Sequence, residues 1–191
     1  MSENITDRSA AAWPDSQRCR LKYGISHMTS NVVKTVIFTI LVPGTVAMVL
    51  PRVIGTDASA LTLYSSIGFV PMVLGAAIYL WCAWDFATAG QGTPAPIDAP
   101  RRLVVRGLYR YVRNPMYVGV LTVLFGESIV FRSTRIFTYA LVVCVFFSLF
   151  VMLYEEPALK RKFGASYEEY LKSVPRWIPR GVDRSLRSRL G

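Results

Sequence analysis

Two adjacent carboxylates, Glu155 and Glu156, close a long uncharged run and stand directly before Pro157. Acids in that place either favour the positive end of a helix that begins at the proline or face a cationic or hydroxyl-rich ligand. A second polar cluster runs from Arg106 through Gly107, Tyr109, Arg110 and Arg113 to Asn114-Pro115-Met116-Tyr117, and it too borders an apolar run. Asn before Pro is a strong helix start. Asn114 can cap with its side chain, and Pro115 suits the first helical position, where no amide hydrogen is needed. The free amides and dipole of such a start can hold an anion such as a cofactor carboxylate. Without a ligand, the same residues make a capped helix whose arginines snorkel to headgroups. In a third stretch, 163–179, Tyr167, Tyr170 and Leu171 share one helical face. The simplest reading of that stretch is an interfacial helix lying over the site as a lid.

Other chemistries lack their residues. His27 is the only histidine, so neither a histidine metal centre nor a Ser-His-Asp triad can be assembled, and no metal ligand is assigned. Cys19, Cys82 and Cys144 are widely spaced and form no disulfide framework or CxxC site. The net charge of +10 would raise nucleic acid as a partner in a soluble protein, yet no recognition motif accompanies it.

The elements that position these clusters are apolar runs. Of the 191 residues 52% are hydrophobic and 18% charged, and the apolar ones are gathered into blocks, so the expected environment is a lipid bilayer. Four spans are predicted, over 32–50, 61–87, 116–131 and 136–154, the third a little short for a perpendicular crossing. Residues 1–31 read as a polar N-terminal tail, and 32–191 as one membrane domain without internal repeats. The first run follows too long a polar stretch to be a signal peptide and is expected to be retained. Residues 51–59 should make a short connection. Trp81 and Trp84 mark an interface, and the Gly90–Pro96 stretch a helix stop and loop. Arg101, Arg102, Arg106, Arg110 and Arg113 then stand against a single Asp98, so this loop is expected in the cytosol, with both termini on the same side after four spans, against the weaker competing pair Arg132 and Arg135. Glu127 is the one acid inside a run, either functional or sitting at the far interface.

Taken together, the Gly-rich loop, the helix start Arg113-Asn114-Pro115-Met116-Tyr117-Val118-Gly119, the apolar hairpin, Glu155-Glu156 and the Phe163-Gly164…Tyr167…Tyr170…Val174-Pro175 tail resemble the isoprenylcysteine carboxyl methyltransferase and phospholipid methyltransferase superfamily. The resemblance covers the chain from about residue 65 onward. It implies an all-α, multi-pass bundle of about four spans with a cytosolic-side pocket for S-adenosylmethionine, and a membrane lipid or lipidated small molecule as acceptor. Carried over by position, the cofactor wall comprises Gly90, Gly92, Arg101, Arg102, Leu103, Val104, Tyr109, Asn114, Pro115, Met116, Tyr117, Glu155 and Glu156, with Glu155 also the candidate catalytic base. Two positions depart from the pattern. Asn114 replaces a usual His, and Val151 stands where the prenylcysteine enzymes are expected to carry a substrate-binding Arg.

Methyl transfer from a sulfonium is an in-line displacement with charge neutralisation, so alignment and desolvation are the main demands on the protein. An amine acceptor needs a base such as Glu155, whereas a carboxylate needs none. The competing expectations are an NADPH-dependent sterol-type membrane reductase, whose relatives share the Arg-His-Pro-x-Tyr pattern on a longer chain, and a non-catalytic membrane scaffold.

Overall fold

The computed structural model describes residues 35–54, 63–89 and 105–179, together with Val33 and Leu103. All the regular elements among them are helical. Helix α1 spans Thr35–Ile54, α2 is the short Leu63–Ser66, and α3 is Phe69–Ala89. A 3-10 turn, Gly107–Arg110, leads to α4, Pro115–Val130. A tight turn at Phe131 to Ser133 follows, and Ser133 caps the next helix by accepting from the Ile136 amide at 3.4 Å. That helix, α5, runs over Thr134–Phe163. The last, α6, is Ala165–Ser173 and is set off by Gly164, whose φ of +53° ends α5.

Helices α1, α3 and α5 are long and apolar enough to cross a membrane, and α4, at 16 residues, is a shorter apolar helix. Apolar side chains point outward as well as inward. Val73, Leu74, Trp81 and Trp84 on α3, and Val142, Val145, Phe146 and Leu153 on α5, are all exposed, as a lipid-facing surface requires. The core between the helices is built from Ala47, Tyr79, Ala83, Val120, Leu121, Leu124, Ala140 and Val143.

Two proline positions change the expected boundaries. The first run does not stop at 50, nor does the connection begin at 51: α1 continues through a buried Pro51 to Ile54. The fourth run does not end at 154 with a fresh helix at Pro157, because α5 is continuous to Phe163. In both cases a π-turn precedes the proline, at Thr45–Val49 and at Val151–Glu155. A proline has no amide hydrogen for the carbonyl four residues back, and its ring presses on that carbonyl. The helix widens instead of breaking. The Leu50 amide reaches Thr45 O, and the Glu156 amide reaches Val151 O. Elsewhere 61–87 is divided by a turn at 67–68, and 116–131 shifts only at its ends, starting one residue earlier.

Helix α3 and the turn before it pack antiparallel on α4 through glycines spaced seven apart. A Cβ on Gly75 would lie 2.5 Å from Gly119 O, and one on Gly68 would lie 2.7 Å from Gly126 O. Such backbone contact is how helices associate where lipid offers no hydrophobic drive. It fixes the start of α4 against the end of α3.

Candidate active site at the arginine-loop end

At the end of the bundle that carries the arginine loop, the start of α4 faces the π-turn of α5. The Tyr117 hydroxyl donates to Glu155 Oε2 at 3.0 Å, and its ring packs on Phe147 with centroids 4.7 Å apart. The π-turn sets this register by displacing Glu155 and Glu156 around the helix axis from where an unbroken α-helix would carry them. The two acids therefore meet different partners.

Glu156 is held by arginines. Arg176 grips it with a fork, Nε to Oε1 at 2.8 Å and Nη2 to Oε2 at 2.7 Å, and Arg113 Nη1 adds a bond to Oε1 at 2.8 Å. Fork geometry and opposite charge make these the strong class of hydrogen bond. The carboxylate beside it raises the Arg176 guanidinium above its ordinary value. Arg113 also donates from Nε to Val174 O at 2.8 Å and from its amide to Pro175 O at 2.9 Å. The strap 174–178 is thereby tied across the start of α4.

Asn114 joins the same strap. It makes no side-chain cap; its Nδ2 donates to Arg176 O at 3.3 Å. The expected cap fails because the strap supplies a partner that the side chain takes in place of the helix amides. Pro115 does occupy the first turn of α4 as predicted.

Behind the strap, Tyr167, Tyr170 and Val174 form a small core with Leu103 and Leu171, so the predicted shared face of α6 is the buried one. The Tyr170 hydroxyl donates to Tyr109 O at 2.7 Å. Tyr109 is itself buried against Cys82, Phe86 and Met116. Burial first, and then the neighbouring Cys82, Tyr170, Glu155 and Tyr117, push its phenol well above the ordinary tyrosine value. It is a neutral wall at physiological pH.

Of the residues expected at the cofactor wall, Tyr109, Met116, Tyr117 and Glu155 converge here. Asn114 and Glu156 tie down the strap, and Leu103 packs under α6. Gly90, Gly92, Arg101, Arg102 and Val104 lie outside the described residues. Val151 is 1% exposed, inside the bundle. Glu127 is 4% exposed and lies far from this end, with Oε2 lacking a partner among the described residues. Two participants escaped the sequence reading, Arg176 and Asp85. Arg176 sits in a tail where one arginine among many carries no local signal, and Asp85 looked like part of an interfacial aromatic belt. Among the described residues no cluster of His, Cys, Asp or Glu could hold a metal ion.

An all-helical bundle with lipid-type outer faces and a polar site walled by Tyr and Glu at one end defines a membrane-embedded protein class. Within that class, a model of the family described as phospholipid methyltransferase matches residues 63–166. Protein-S-isoprenylcysteine O-methyltransferase of Schizosaccharomyces pombe is 44% identical over 80 residues, 40% of this chain and 33% of that protein. Probable protein-S-isoprenylcysteine O-methyltransferase of Oryza sativa subsp. indica is 33% identical over 122 residues, 60% of this chain and 61% of its own. The B form of protein-S-isoprenylcysteine O-methyltransferase from Arabidopsis thaliana is 35% identical over 79 residues, 41% and 40% of the two chains. The chain thus spans a third to three fifths of the length of these curated relatives. No solved structure matches it significantly. The chain belongs to the isoprenylcysteine carboxyl methyltransferase and phospholipid methyltransferase superfamily. The matched region holds Arg113, Tyr117, Glu155 and Glu156 and ends before the strap.

Proposed function

We propose that the protein is an integral membrane methyltransferase that uses S-adenosylmethionine and methylates a lipid-embedded acceptor at the cytosolic end of the bundle. The observation that carries this reading is the Tyr117–Glu155 pair, which joins the start of α4 to the π-turn of α5. The donor set suits the cofactor. Glu155 has one oxygen engaged by Tyr117 and the other without a partner among the described residues, so it can accept from an ammonium or ribose hydroxyl. Tyr109, Met116 and Tyr117 offer apolar and aromatic wall. Glu156, with both oxygens on arginines, does not fit that role and serves the strap. When bound, the cofactor supplies an electrophilic methyl on a sulfonium.

The chain's own contribution is alignment and exclusion of water. The strap, pinned by Arg113, Asn114 and Arg176, closes the site from the aqueous side, and lipid-facing α3 and α5 leave the acceptor to arrive from the bilayer. With a neutral amine acceptor, whose methylation would break the methyl–sulfur bond and leave a neutral thioether, Glu155 would accept the proton that the nitrogen loses. Val151 is buried and apolar, and Arg113 and Arg176 are both held by Glu156, so none of the three offers an acceptor carboxylate a free counter-charge. This favours a nucleophile without full negative charge. The relatives' names favour the second reading, an isoprenylcysteine carboxylate.

Equilibrium binding in detergent tests the cofactor: saturable S-adenosylmethionine binding with none of NADPH is expected. The reverse would identify a reductase, and neither binding would leave a scaffold. Radiolabelled methyl transfer to S-farnesylcysteine and phosphatidylethanolamine, side by side in the same micelles, then separates the acceptors. Efficient methylation of farnesylcysteine alone would sink the argument from Val151.

A further inference from the structure

The side of the turn 106–110 opposite Tyr170 is held by a residue that neither the site motifs nor the family resemblance assigns. Asp85 lies near the end of α3 and is only 5% exposed. Its Oδ1 pairs with Arg106 Nε at 3.3 Å, and its Oδ2 is buried without a hydrogen-bond partner among the described residues. The reason for that orphaned oxygen is the neighbouring backbone. Gly107 has φ +56°, and a Cβ there would fall on Asp85 Oδ2, with Trp81 Nε1 only 3.3 Å from the same point. Asp85 therefore fills the space that Gly107 leaves empty while its charge holds Arg106. Burying a carboxylate with one unsatisfied oxygen is costly and persists where the surroundings gain from it. The gain here is the turn itself, which drives Leu108 and Tyr109 down over Cys82, a residue 0% exposed.

We propose that Asp85 is a positioning residue for methyl transfer: by pinning Arg106 and abutting Gly107 it sets the turn that presents Tyr109 to the Tyr117–Glu155 pair. This rests on the functional reading above, because Tyr109 is there a wall of the cofactor site. Asp85 touches neither reactant and acts through the turn.

Cys82 gives a readout independent of any cofactor. In the 191-residue chain with Cys19→Ser and Cys144→Ala, Cys82 should resist a maleimide. Asp85→Ala should raise its labelling rate roughly tenfold or more at a temperature well below its cooperative unfolding transition, since losing one charge-assisted bond is a shift of that order. Arg106→Ala, a change at an exposed side chain, should act in the same direction more weakly, and Asp85→Asn, which keeps the shape and an acceptor oxygen, should largely restore protection. In parallel, the S-adenosylmethionine Kd of folded Asp85→Ala should rise about tenfold. Loss of fold alone would lower the bound fraction and leave the Kd of the folded molecules unchanged. If wild-type protein binds no S-adenosylmethionine, the functional reading fails while the Cys82 measurement still decides the pin. Unchanged Cys82 protection in Asp85→Ala and Arg106→Ala would overturn the pin. So would an uncovered Cys82 with no change in cofactor Kd, by showing that the turn does not serve the site.

Discussion

Glu155 and Glu156 are neighbours of the same type, yet their surroundings divide them into a candidate ligand and a strap anchor. Glu155→Ala should weaken S-adenosylmethionine binding roughly ten- to hundredfold, the worth of a charge-assisted hydrogen bond, with the protein still folded. Tyr117→Phe should shift affinity in the same direction by less, since it removes only the group that orients Glu155. Isothermal titration on both variants checks this, and unchanged affinity in both would remove Glu155 from the site. Glu156→Ala should instead act on stability. It leaves Arg113 and Arg176 unpaired at a half-buried place, which costs about 2 to 3 kcal/mol after allowance for solvent. Thermal unfolding in detergent should show the loss, together with faster proteolysis of the strap. Asn114→Ala belongs with Glu156 in this respect, because its amide bonds the strap carbonyl of Arg176 and not the helix.

Helices here are shaped by what interrupts them. Pro51 and Pro157 each follow a widened turn, and the second of these turns decides which way the acids face. Pro157→Ala restores the missing amide hydrogen, so the turn can tighten to ordinary α-helix and rotate Glu155 away from Tyr117. The expected outcome is unchanged or higher thermal stability with lost methyl transfer, measured on the same preparation. The α3–α4 seam makes an opposite prediction. Gly75→Leu or Gly119→Leu forces a side chain into backbone atoms at 2.5 to 3.0 Å, so the helices must part, and the purified variants should lose both monodispersity and cofactor binding. Ala76→Leu, on an exposed part of α3, is the control that should change neither.

Across the molecule, the charge distribution predicts an orientation for the bundle. Arg106, Arg110 and Arg113 lie at the same end as Lys160, Arg161 and Lys162 of α5 and as the strap, and positive residues stay on the cytosolic side. Single cysteines introduced at Gly92 and Ser185 should therefore resist an impermeant thiol reagent in intact cells. Labelling of either from outside would invert the orientation, and with it the side from which the cofactor arrives.

The helical class, the apolar blocks, the Pro115 helix start and the buried face of α6 were legible in the chain, because periodicity, proline chemistry and side-chain type are local properties, whereas Tyr117 was nominated only by the family resemblance. Seven-residue glycine spacing along two apolar runs was also there to be read, though only the packing shows that Gly68 meets Gly126 and Gly75 meets Gly119. Four matters belonged to the tertiary structure alone: that α5 passes through Pro157 unbroken, that Asn114 bonds the strap instead of capping, that Glu156 is claimed by Arg113 and Arg176, and that Asp85 fits the gap at Gly107. Most of them depend on a partner far away along the chain, 20 to 62 positions for the recorded contacts of the strap. A carboxylate's role is set by whichever donor reaches it first in space, and residue type and local spacing carry no information about that distance.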